Sequence, residues 1–433
     1  MMISLIPEPA LQLLHRLREN GIAAFVAGGA VRDMCLGRQP EDVDISANAS
    51  IDTLTDLFAD HQVRVAGNTF PVCLVNGIEV APSRGRSDQF PEDDLAMRDF
   101  TINAMAYDPL ENRFLDPFNG RSDLENRIIR FTGDPTARIL EDPVRMIRGC
   151  RFSVLLSARL SDPAHKAIHD HAGSLTPDIP GERIRNELLK AMALPAPSDF
   201  FHCLHDTGLL AGILPSLDRC YALDGGPFHG ETVFEHGMMV GDALPARQPL
   251  LRLAGYLHDV GKADAQGIKD GRITFHGHET RMDALITDLD RLRFSVQEKD
   301  YILALYRCHM RPLAEKTRPK SVRRLLAMLV QNRISFQDFM RMRIADKKSN
   351  LAKSPYTLAD IRLRVEKVRK EMARQTAFQP DDLQISGQDI MQVKKIPPGP
   401  AVGRIKHRMF EKVLEDPDLN TREHLLAMLH DMD

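Results

Sequence analysis

The stretch VAGGAVRDMCLGRQPEDVDISA, residues Val26 to Ala47, decides how the first third of the chain folds. An apolar run, IAAFVAGG, ends in Gly28-Gly29. Arg32 follows one turn later, and Asp42 and Asp44 then flank Val43 in the strand-like VDISA. Side chains two apart on a strand project from one face. Two carboxylates on one face repel unless a cation neutralises them, and hard oxygen ligands suit Mg²⁺. A turn without Cβ atoms brings backbone N–H groups close to phosphate oxygens, where Arg32 can add its fork. Metal-binding acids beside a phosphate cradle are the equipment of phosphoryl and nucleotidyl transfer. The plain alternative is a glycine turn followed by two solvated strand-end acids. The full string is far more specific than a lone D-x-D.

Working outward, residues 8 to 20 read as an amphipathic helix. VCLVNGIEVAP reads as a further strand, and INAMAYDPLENRFLDP as a hairpin turning at Pro109 to Asn112. Beyond Asp142 strand signals nearly vanish and helical periodicity takes over. Most histidines fall between 216 and 350. Beyond Pro355 the chain is helical and basic, broken by KKIPPGPAVG. At 433 residues it is too long for one core. Hydrophobic content is 43% and charged content 27%. No run reaches the roughly 18 to 20 apolar residues of a membrane span, and the N-terminus shows no secretory pattern. Six scattered cysteines fit a reducing compartment, so a cytoplasmic protein is expected. With a net charge of −3, any nucleic-acid site must concentrate its basic residues locally.

The string GGAVRD…DVDI, followed in order by RDFTINAMAYDP, DPFNGRSDL, EDPVRMIRGCRF and ERIRNELLKAM, resembles class II tRNA nucleotidyltransferases and bacterial poly(A) polymerases of the DNA polymerase beta superfamily. The tail ISGQDIMQVKKIPPGPAVGRI is similar to bacterial members. The resemblance implies that Asp42 and Asp44 bind two catalytic Mg²⁺ ions, with Glu79 as a third carboxylate. It implies that Gly28, Gly29, Arg32, Arg98, Asp99, Asn103 and Arg148 hold the nucleotide. Asp116, Gly120 and Asp123 resemble the hinge motif, and Glu182 and Arg183 the neck helix that steadies the templating helix. Where the pattern has two arginines, this chain has Met97-Arg98, which puts triphosphate affinity in doubt.

Asp142 and Arg145 are expected at i and i+3 on one helical face. Asp accepts hydrogen bonds and Arg donates them. Cytosine and adenine each offer an amino donor beside a ring-nitrogen acceptor, so the pair can imitate a templating base that admits CTP and ATP. The bland reading is a surface salt bridge. Between Arg84 and Arg98 lie only thirteen residues, GRSDQFPEDDLAM. Family members that add complete CCA resemble one another in a longer loop here, so the short link favours addition of CC alone.

FHGETVFEHGMMV, AGYLHDVGKA, FHGHE, RCHM and RIADKK together look like an HD domain. His236, His258, Asp259 and Asp346 would hold a divalent transition metal such as Mn²⁺, Ni²⁺ or Fe²⁺, with His278 and His309 extending the site. Such a site can activate water against a phosphoester. EKTRPKSVRR, DKKSNLAKS and RLRVEKVRKEMAR supply local basic patches for RNA phosphates.

The expected fold is α+β: a small mixed α/β nucleotidyltransferase head (1–134), then an elongated all-helical neck (135–215), HD body (216–350) and tRNA-binding tail (351–433). The expected partners are the tRNA 3′ end, CTP and, secondarily, ATP, with no membrane. A complete CCA-adding enzyme, a poly(A) polymerase and an HD phosphohydrolase with an RNA-binding head are the alternatives.

Overall fold

The computed structural model describes residues 2–67, 71–83, 87–175, 179–227, 229–314, 316–374 and 377–432. The chain divides into two compact units, Met1–Ile179 with Asp199–Gly212, and Pro180–Ser198 with Ile213–Asp433. Mixed α/β structure occupies the first, and the remainder is mostly helical. Among the described residues no helix is long and apolar enough to cross a membrane.

The first unit is built on a seven-stranded sheet in the order β3-β4-β5-β2-β1-β6-β7. The strands are β1 (Ala24–Ala27), β2 (Ile45–Ala47), β3 (Val63–Ala66), β4 (Val72–Val75), β5 (Ile78–Pro82), β6 (Ala106–Asp108) and β7 (Arg113–Leu115). Only β2 and β5 run parallel. One face packs Val26, Ile45, Ala47 and Val80 beneath the amphipathic helix Glu8–Glu19, as its apolar spacing requires. The other face carries Phe25, Ala27 and Ala106 against Leu95 and Phe90. The run 72–82, expected as one strand, is a hairpin. Asn76 and Gly77 both adopt positive φ (51° and 86°), the two-residue turn that Asn-Gly favours. The hairpin expected at 109–112 forms between β6 and β7.

The DPFNGRSD segment clamps the 3₁₀ turn Thr101–Asn103. Asp116 accepts the N–H groups of Gly120 (2.6 Å) and Arg121 (2.9 Å), which opens the helix Gly120–Glu125. Asp123 accepts the Thr101 hydroxyl at 2.7 Å and pairs with Arg130 at 3.0 Å. A Cβ on Gly120 would lie 2.0 Å from the Thr101 carbonyl oxygen, so only glycine fits there.

In the second unit Arg252, 2% exposed, donates to the Met192 carbonyl (2.9 Å) and the Pro195 carbonyl (2.9 Å), which fixes the end of the helix Gly181–Met192. Strands do occur beyond Asp142: Gly267–Lys269 pairs with Arg272–Thr274 around an Asp270-Gly271 turn. C-terminal helices close a separate core around Ile390, Phe410 and Leu425.

Gly120→Ala forces backbone apart at a buried contact. It should lower the unfolding free energy by about 1–3 kcal/mol or more. Urea denaturation with an unchanged midpoint would show that the Thr101 clamp is dispensable.

Candidate functional site

Val43 and Ile45 both pack into the sheet core, and Asp42 and Asp44 lie in the irregular segment just before β2. Asp44 sits at the mouth of β2, where its carbonyl accepts Ala27 N–H at 3.0 Å. Burial pushes the Asp44 carboxyl up, Arg98 pulls it down and Asp42 pushes it up again. A cation at this pair relieves both upward causes, so the donor set fits a divalent metal. Glu79 precedes Val80, the register partner of Ile45, and therefore lies beside Asp44 on the neighbouring strand. Asp42, Asp44 and Glu79 do not all bring a carboxylate oxygen within 4.8 Å of one another. Among the described residues, three-ligand clusters with donor atoms within 4.8 Å occur only in the second unit.

Gly28 takes φ +77°, and its N–H is committed to the Met105 carbonyl at 3.2 Å. It therefore contributes room rather than the expected phosphate-binding amide. A Cβ here would come within 2.5 Å of Arg98 Nη1, so the glycine seats that guanidinium over the turn. Arg32, 8% exposed, donates to Asn103 Oδ1 at 2.9 Å. Asn103 Nδ2 in turn donates to Asp99 at 3.0 Å, and Arg148 Nε donates to Asp99 at 2.8 Å. Burial alone would raise the Asp99 carboxyl, but Arg148 and these hydrogen bonds hold it below its ordinary range. Arg32, Asn103, Asp99 and Arg148 thus form one hydrogen-bonded network, and Gly28 lies separately against Arg98.

Asp142 and Arg145 do not share one helix. The chain breaks between helices Pro135–Glu141 and Val144–Leu155, because Pro143 disfavours the α conformation at the residue before it. Asp142 is extended (φ −154°, ψ 95°) and accepts Val144 N–H at 3.2 Å. Arg145 pairs with Glu141 at 2.8 Å and also donates to the Met97 carbonyl at 3.3 Å. The link between Arg84 and Arg98 is described from Ser87 onward; Arg84, Gly85 and Arg86 lie outside the described residues. It contains the short helix Glu92–Ala96. Glu182 and Arg183 stand exposed in the first turn of Gly181–Met192, which belongs to the second unit.

The second unit gathers the histidines. His258, His278 and His309 set Nδ1 against the carbonyls of Gly255 (2.8 Å), Phe275 (3.0 Å) and Tyr306 (2.6 Å). A carbonyl only accepts, so Nδ1 of each ring carries a proton, and Nε2 is a lone pair wherever the ring is neutral, as burial favours at His309. His278 Nε2 and His309 Nε2 then face each other at 3.2 Å. Both lie beside Asp259 Oδ1, at 3.1 and 3.3 Å. Facing lone pairs repel, and a cation resolves the conflict. His236 Nε2 lies 3.2 Å from Asp346 Oδ1. His236, His258 and Asp346 form one potential ligand set, and His258, Asp259 and His309 another. Burial lowers the proton affinity of His309. Burial would raise Asp259, but His258 and Lys262 overcome it and hold the carboxyl well down.

Two further candidates were missed. Glu231 sits 2.8 Å from His229 Nδ1 and 3.1 Å from His236 Nδ1. Their only signal was H-G-E just before the helix of His236, too generic to single out. A cavity of about 1260 Å³ opens beside the cluster, with Lys269, Arg272, Arg343 and Lys347 among its lining.

Known proteins match this chain along most of its length. The Poly A polymerase head domain family matches residues 24–130, the family described as "Probable RNA and SrmB- binding site of polymerase A" matches 160–221, and the HD domain family matches 229–333. The A-adding tRNA nucleotidyltransferase of Deinococcus radiodurans is 32% identical over 90% of this chain and 91% of its own. The CC-adding tRNA nucleotidyltransferase of Halalkalibacterium halodurans is 40% identical over 46% of this chain and 52% of its own. The fold is similar to that of the Bacillus stearothermophilus CCA-adding enzyme solved in complex with CTP, with a TM-score of 0.65, 24% identity and 98% of each chain covered.

Asp259 lies beside the Nε2 atoms of His258, His278 and His309. Asp259→Asn should therefore weaken binding of Mn²⁺ or Ni²⁺ by at least about tenfold. Equilibrium dialysis followed by metal analysis reads this, and unchanged affinity would reduce the histidines to packing residues.

Proposed function

The chain belongs to the family of tRNA nucleotidyltransferases and bacterial poly(A) polymerases, and from that premise we propose that it adds two cytidylates to the 3′ end of tRNA and stops. It is a tRNA nucleotidyltransferase that uses divalent metal. The finer product rests on one observation: the link after Arg84 is short, and its far end is tied to Arg145 through the Met97 carbonyl. A change from C to A needs the templating side chains to reorient, and a tethered link leaves little slack for that.

Asp42 and Asp44 would hold Mg²⁺, which when bound neutralises triphosphate charge and acidifies the attacking 3′-hydroxyl. Arg98 stands over the Gly28 turn and meets the triphosphate. Arg32, Asn103, Asp99 and Arg148 form the rigid floor that keeps this edge of the site in place. Asp142 accepts from the exocyclic amine of the base, and Arg145 donates to its ring acceptors. A base with the reverse order leaves both partners unpaired, at about 1–3 kcal/mol per contact. The tRNA body would meet the basic helices of the 351–433 tail through its phosphates.

A second reading is addition of A alone, favoured by the Deinococcus relative whose match runs along nearly the whole chain. The histidine cluster supports an additional activity, metal-dependent hydrolysis of phosphoesters, because its cavity sets cations beside the metal-binding side chains.

Two tRNA substrates separate the products. With a tRNA ending at its discriminator base, CTP alone should give two added residues, and excess ATP should add nothing further. With a tRNA ending in CC, ATP should give no product. Efficient A addition to the second substrate and none of C to the first would establish the A-adding reading. Asp42→Ala or Asp44→Ala should lower incorporation at least about a hundredfold, the scale of losing stabilisation of developing charge. Loss of less than tenfold would remove the metal assignment.

A further inference from the structure

Three arginines hang from four consecutive residues of the link. Asp94, 2% exposed, accepts Arg98 Nη2 at 3.2 Å. The Ala96 carbonyl accepts Arg138 Nη1 at 3.2 Å, and the Met97 carbonyl accepts Arg145 Nη2 at 3.3 Å. The last carbonyls of a helix have no partner inside it, and here guanidinium groups supply one. Beneath them Leu95 is fully buried, and Phe90 packs on Phe25 with ring centroids 5.5 Å apart. The helix Glu92–Ala96 is therefore pinned to the sheet on one side and to arginines on the other.

These ties decide what Arg145 has left to offer. Its Nη1 donates to the Arg138 carbonyl at 3.0 Å and to Glu141 at 2.8 Å, and Arg138 also pairs with Glu141. A guanidinium has five N–H groups. Three are committed, so one on Nη2 and the one on Nε remain uncommitted among the described residues. Two adjacent donors match two adjacent acceptors. Cytosine has them in N3 and O2. Adenine sets a C–H beside its ring acceptor, and uracil places an N–H donor in the middle of its edge.

We propose that the helix Glu92–Ala96 is a strut holding Arg98 and Arg145 at one spacing, and that Arg138 and Asp94 are positioning residues of nucleotide selection. Arg138 fixes the base side, and Asp94 fixes the triphosphate side. The proposal rests on the reading of the chain as a tRNA nucleotidyltransferase with Asp142 and Arg145 as its base-reading pair.

The experiment measures kcat and KM for CTP, ATP and UTP on a tRNA lacking CCA, with wild type, Arg138→Ala, Arg138→Lys, Asp94→Asn and Met97→Ala. Arg138→Ala should reduce the preference for CTP over UTP roughly tenfold, the scale of one lost hydrogen bond, while kcat for CTP changes much less. Arg138→Lys, which keeps a donor for the Ala96 carbonyl, should restore most of the preference. Asp94→Asn should raise KM for every nucleotide and leave the ratio between bases alone. Met97→Ala should behave as wild type, because the tie uses its carbonyl. Wild-type selectivity in Arg138→Ala overturns the strut. If Arg138→Ala does not fold, an unchanged nucleotide KM in folded Asp94→Asn overturns it instead. A wild-type protein that incorporates no nucleotide into tRNA overturns the functional reading on which the strut stands.

Discussion

A buried carboxylate that must be paired organises the first unit. Asp99 is withdrawn from water, and burial without partners would be expensive for its charge. Arg148, Asn103 and the Phe100 N–H satisfy it. Asn103 then has one orientation and presents its oxygen to Arg32. The Asp99 carbonyl accepts Thr132 N–H at 3.2 Å, so the backbone beside Arg98 is held as well. Removing Asp99 would leave Arg148 and the Asn103 amide without the acceptor they share. The Gly120–Thr101 contact serves the same end, because it locks the turn on which Asn103 rides.

The same economy of placement extends along the link. A short connection was expected to matter through missing slack. The geometry adds a positive constraint: the short helix Glu92–Ala96 and the residue after it contact both Arg98 and Arg145. Coupling of this kind travels through packed backbone and hydrogen bonds, with no moving part. At Met97 the peptide oxygen, and not the side chain, meets Arg145.

In the second unit the organising conflict is between nitrogen lone pairs. Backbone carbonyls spaced three residues before each histidine set the tautomers, and the fold then presses Nε2 atoms toward one carboxylate. Asp259 also accepts Lys262 at 2.7 Å, which balances part of the negative charge. The cluster is poised for a cation by its proton inventory as much as by its distances.

Sequence by itself determined what is local. The glycines before Arg32 and the ordered motifs identified the head and the HD domain. Local signals were also passed over. Asn76-Gly77 and Asp270-Gly271 mark hairpins, and Pro143 marks the helix break that separates Asp142 from Arg145. Domain limits at 134, 215 and 350 stay a proposal. Only the tertiary structure showed the contacts of Arg138 and Asp94 along the link, the commitment of the Gly28 amide, and the approach of His229 and Glu231 to His236. Each depends on atoms brought together from segments distant in sequence or from both sides of a turn. Which donor meets which acceptor there is set by close packing, and no spacing rule along the chain encodes it.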